Sequence, residues 1–116
     1  MNKVIKNGNN IDFEVDQGTT WPVDMVMQNN DGSLIDYSGY LARMYLKRKL
    51  NGPAALQMTT SNYISLGLGF IRWNVPDEVT ADLSGEYIYD LELESFDGTV
   101  QRLFQGNVTL SPEVTR

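Results

Sequence analysis

The chain has 116 residues, 41% hydrophobic and 21% charged, which is ordinary usage for one globular domain able to bury a single core. Fifteen acidic residues against nine basic ones give a formal net charge of -6, which disfavours a nucleic-acid partner, because neutralising phosphates needs clustered Lys and Arg. The sequence has no Cys and no His, which excludes a disulfide framework, a thiolate nucleophile, a Cys-based metal site and a His-based catalytic triad.

The opening ten residues, MNKVIKNGNN, lack the apolar core of a signal peptide. No apolar run approaches the roughly 20 residues of a membrane span. The expectation is a soluble product made in the cytoplasm, with no membrane partner. Residues 1–116 read as one domain, with 1–10 as a short N-terminal extension.

Period two dominates the chain from there on. In residues 11–16, Ile11, Phe13 and Val15 share one face, and Asp12, Glu14 and Asp16 the other, the pattern of a half-buried strand. Residues 21–28 alternate again, with Trp21, Val23, Met25 and Met27 on one face. Pro22 cannot donate to a ladder, so this strand belongs at an edge or begins there. NNDGS, residues 29–33, is a turn. A third strand over 39–47 puts Tyr40, Ala42, Met44 and Leu46 on one face, with Leu41, Arg43, Tyr45 and Lys47 opposite. Lys47, Arg48 and Lys49 read as its solvated end. LNGP breaks the chain at 50–53, and LQMTT and NYISLG are short strand candidates. GFIRWNV is a clearer strand, with Ile71, Trp73 and Val75 inward.

Residues 76–85 hold the only helical signal: Pro76 opens a turn, and Val79 and Leu83 lie four apart. The segment is too short to stand alone and reads as a helical turn crossing between sheets. EYIYDLELE and TVQRLFQGNVTL then flank Phe96-Asp97-Gly98, and Asp-Gly between two alternating runs is a hairpin signal. The expected fold is an all-β, immunoglobulin-like β-sandwich of about seven to nine short antiparallel strands, with at most one short helical turn near 76–85.

Leu83 to Tyr89, LSGEYIY, resembles the corner of an immunoglobulin-type sandwich, where a Tyr hydroxyl caps the backbone upstream. Tyr87 holds the corner position. Tyr89 stands where antibody domains carry a Cys and fills the same core volume. Leu83 departs from the Asp that opens that motif. The plainer reading is that Tyr87, Tyr89, Leu91 and Leu93 alternate into a core, and both readings give a sandwich.

Three stretches carry a wider resemblance. DFEVDQGTTW, DGSLIDYSGYLARMYLKR and the closing GEYIYDLELESFDGTVQRLFQGNVTLSPEVTR occur in this order over roughly residues 11 to 116. Together they are similar to a family of short proteins and modules encoded by tailed bacteriophages and prophages, small Ig-like virion components of tail, baseplate or fibre. The most distinctive pieces are Gly39 to Met44, Tyr89 to Leu93 and Ser111 to Arg116. The resemblance implies a non-enzymatic structural protein located in the virion, an adaptor present in multiple copies whose partners are other tail, baseplate or fibre proteins. It implies no cofactor. The alternatives are a capsid decoration protein and a carbohydrate-binding module touching the host surface. The last would need an exposed aromatic platform beside polar side chains.

The remaining candidates are interaction residues. Asp90, Glu92 and Glu94 share one strand face, a solvated or contact surface more than a glycosidase pair. Asn29, Asn30, Asp31 and Ser33 offer oxygens, without EF-hand spacing for calcium. Trp21, Tyr45 or Phe104 would anchor a protein contact if it pointed outward. Tyr63 sits on an expected loop as a partner contact. Gly98 carries the hairpin turn. Pro112 ends the last ladder, after which Val114 and Arg116 form a segment suited to strand addition on a neighbour.

Overall fold

The computed structural model describes residues 2–112. Nine strands and one helical turn follow in the order β1 (Lys3–Asn7), β2 (Asn10–Asp16), β3 (Trp21–Val26), β4 (Leu41–Lys47), β5 (Ala54–Thr59), β6 (Ile64–Gly67), β7 (Phe70–Val75), α1 (Asp77–Thr80), β8 (Gly85–Glu94) and β9 (Val100–Ser111). They form a six-stranded sheet, β1-β2-β9-β8-β4-β5, and a three-stranded sheet, β3-β7-β6. The two sheets share one core, an all-β arrangement compatible with a sandwich. No helix among the described residues is long and apolar enough to cross a membrane.

The alternation in the sequence becomes burial. Ile11, Phe13 and Val15 of β2 are buried, as are Ala42, Met44 and Leu46 of β4, and Tyr87, Tyr89, Leu91 and Leu93 of β8. Each of these strands turns one face to water, so period two suffices to sort the side chains. Phe13 sits at the centre, with its ring centroid 5.5 Å from those of Trp21 and Trp73 in the facing sheet. Both contacts are edge-on, the arrangement that ring quadrupoles favour. The indole N–H of Trp73 is buried with no hydrogen-bond acceptor among the described residues.

Two features depart from the sequence reading. The sheet is not wholly antiparallel, since β2 runs parallel to β9, with Phe13 beside Val108 and Val15 beside Leu110. Nor are all the strands short, because β8 and β9 span 10 and 12 residues. Gly106 of β9 lies close against the backbone of β2. A Cβ there would collide with the Ile11 carbonyl oxygen, so only glycine fits. Residues 3–7, within the expected extension, form edge strand β1, which pairs with β2 alone and is exposed along its length.

Pro22 lies in edge strand β3, where its missing N–H costs no internal ladder bond. The α1 turn carries the chain from β7 in one sheet to β8 in the other. It is fixed from the side. The buried Thr80 hydroxyl donates to the Thr19 carbonyl at 2.6 Å, and the Gln17 amide donates to the Ala81 and Leu83 carbonyls.

Candidate functional site

Apolar side chains that a core would claim instead gather at one end of the molecule. Nine large hydrophobic residues among those described are exposed, and six of them are Val26, Leu34, Leu41, Leu68, Phe96 and Val100. These sit where β3 ends, in the loop to β4, at the start of β4, in the β6–β7 turn, at the β8–β9 tip and at the start of β9. Contacts across the loops join these positions. Tyr37 N–H donates to the Gly67 carbonyl, the Tyr37 and Tyr40 rings lie 5.5 Å apart, and Tyr40 lies 6.4 Å from Phe96. Phe96, at the hairpin tip, is 83% exposed, an unusual state for so large an apolar group.

The same loops are stiffened by one local device used three times. The carboxylates of Asp31, Asp36 and Asp97 each accept the backbone N–H of the residue two positions on, Ser33, Ser38 and Thr99. This Asx turn fixes the backbone without helix or ladder. Hydrogen bonds from Ser33 and Ser38 hold Asp31 and Asp36 below the usual carboxylate range. Those from Ser95 and Thr99 bring Asp97 down to about 2. The end is thus apolar, ordered and studded with ionised carboxylates. The signal was present in the sequence as Asp-X-Ser or Asp-X-Thr at 31, 36 and 97, but only the fold places the three turns toward the same end.

A second surface lies on the outer face of the larger sheet. A groove of about 530 Å³ runs across β4, β8 and β9. Tyr45, Ile88 and Leu50 form its apolar part, with Lys47, Asp90, Gln105 and Asn107 among the polar residues beside them. Arg102 pairs with Asp90 at 3.4 Å and donates to the Gln105 amide oxygen at 2.9 Å. Arg43 donates to Glu92 at 2.9 Å and to Glu94 at 3.3 Å. The acidic stripe expected on β8 is therefore flanked by cations from both neighbouring strands, as cross-strand pairing favours.

The residues singled out in the sequence fall in several places. Tyr87 is buried, and its hydroxyl oxygen accepts the Ser84 N–H at 3.0 Å, with the Arg48 guanidinium 4.2 Å from the ring centroid. Tyr89 is buried, and its hydroxyl donates to the Ile11 carbonyl, tying β8 to β2 across β9. Burial raises its pKa, and the charge of Asp12 adds to the effect. Gly98 has φ +85°, as the hairpin requires. Trp21 and Phe104 point into the core and are unavailable as anchors, whereas Tyr45 faces outward. Tyr63 has φ 64°, a strained value for a non-glycine residue, and lines a shallow groove over β3 and β7 with Pro22, Asp24 and Arg72. It does not join the apolar end. Pro112 is exposed just after β9, and Val114 and Arg116 lie outside the described residues. Asp31 is committed to Ser33, as in a plain turn.

Neither protein-family models nor curated proteins yield a match to this chain.

Proposed function

We propose that the protein is a non-enzymatic structural component of a tailed-phage virion, an adaptor of tail, baseplate or fibre that docks on larger virion proteins. The observation that carries this reading is the apolar end built from Val26, Leu34, Leu41, Leu68, Phe96 and Val100. An exposed end rich in large apolar side chains and carrying charge is a common form of protein contact. The resemblance of the long sequence stretches to phage virion components supplies the biological setting.

We further read the sandwich as immunoglobulin-like. The order β3-β7-β6 corresponds to strands B-E-D, and β9-β8-β4-β5 to G-F-C-C′ of the variable-type frame. Tyr87 occupies the place of a tyrosine corner, its hydroxyl on the backbone three residues upstream. In this frame the apolar end is the end that carries the B–C and F–G loops.

Virions produced with a Phe96→Ser, Leu68→Ser variant test the proposal. The isolated variant should melt like the parent, since both side chains are exposed, and should be missing from particles by mass spectrometry. Normal incorporation of the variant would refute docking through this end. Absence of the parent protein from purified virions would refute the virion reading itself.

A further inference from the structure

We propose that the groove across β4, β8 and β9 is a binding site for a short oligosaccharide. The chemistry of its lining selects that class. Sugars present hydroxyl groups that both donate and accept, above a ring face made of C–H bonds. Tyr45 and Ile88 supply an apolar surface for such a face, and Lys47, Asp90, Gln105 and Asn107 surround it with donors and acceptors.

The lining is mixed in charge, unlike an anion site, and half polar, unlike the mostly apolar pockets that hold drug-like ligands or cofactors. At about 530 Å³ it lies within the size range of ligand pockets.

Part of the site is held in place and part is free. Arg102 pairs with Asp90 and Gln105, and Glu92 and Glu94 pair with Arg43 at the groove's other side. Groups fixed before binding lose little freedom when a ligand arrives. The Tyr45 hydroxyl, the Lys47 ammonium and the Asn107 side-chain amide have no hydrogen-bond or ion-pair partner among the described residues. They are the donors and acceptors left for a ligand. Strands supply the lining except for Leu50, which follows β4, so the site rests mainly on the sheet.

The test is two-dimensional amide NMR of the whole chain, titrated with hexasaccharides of β-1,4-linked glucose, β-1,4-linked N-acetylglucosamine and α-1,4-linked glucose, and with a β-linked galactose tetrasaccharide. At least one should shift the amides of Tyr45, Ile88 and Asn107 at sugar concentrations up to about 10 mM, the weak end of specific binding. Tyr45→Ala and, separately, Asn107→Ala should each weaken that binding by about tenfold, the loss of roughly one contact. Tyr45→Phe, which keeps the ring, should retain most of it. Should Tyr45→Ala fail to fold, Asn107→Ala carries the test, because that side chain supports nothing else. The proposal is overturned if no sugar in the panel shifts these amides, if the shifts map to another surface, or if both alanine variants bind like the parent.

Discussion

At Tyr87 one hydroxyl satisfies the Ser84 N–H at the entrance to β8, beneath the Arg48 guanidinium. Tyr87→Phe keeps the ring and loses the acceptor, and should cost about 1 kcal/mol in denaturant unfolding. A neutral result would leave the ring as mere core filling. At Gly98 the surroundings are open, with no atom within 4 Å of the place a Cβ would take, so any penalty there comes from backbone alone. Gly98→Val should cost about 1–3 kcal/mol, because a β-branched residue is strained at positive φ. Asp97 responds to pH. Its carboxyl titrates at about 2 in the fold against an ordinary 3.8. The stability it contributes is complete above the ordinary value and is lost as pH falls through the lower one. Asp31 and Asp36 are shifted in the same direction. The loop end should therefore loosen between about pH 4 and pH 2, seen as faster local amide exchange than in the core. Asp97→Asn retains the acceptor oxygen without the charge and should flatten this response at the hairpin. Equal acid sensitivity in parent and variant would contradict the assignment.

At the scale of elements, the parallel β2–β9 pair depends on one glycine. Gly106→Ala drives a methyl group into the Ile11 carbonyl and should destabilise the fold by about 1–3 kcal/mol, read from a shifted thermal midpoint. The strands with two different faces were legible in the sequence, because burial on one side writes a period of two into β2, β4, β7, β8 and β9. The β8–β9 hairpin was legible because its turn needs positive φ, and Gly98 after Asp97 announces it. β1 was not legible. Every residue in it is exposed, so no alternation survives to mark a strand. The parallel pairing was hidden for another reason: Phe13 and Val108 are far apart in sequence, and neither side chain encodes the other's register. The groove was hidden likewise. Tyr45, Ile88 and Asn107 become neighbours only through strand order, although each was correctly expected on a strand.

Over the whole molecule, the two proposed surfaces adjoin, because Leu41 and Val100 flank Glu94 on the sheet face that carries groove-lining Arg43 and Glu92. The exposed apolar residues lie toward one end of a body measuring 44 × 29 × 26 Å, and the groove lies on the outer face of the larger sheet. The placement of β9 has a consequence for biosynthesis. It is the last strand of the described residues, yet it lies inside the larger sheet, hydrogen-bonded to β2 on one side and β8 on the other. As the polypeptide leaves the ribosome, everything made earlier must wait with two sheet edges unsatisfied. Nascent chains arrested with Thr99 just outside the exit tunnel should be cut readily by protease, and those arrested well beyond Ser111 should resist it. The protein is thus committed to folding after synthesis of nearly the whole domain, and it is during that interval that a chaperone would have its substrate.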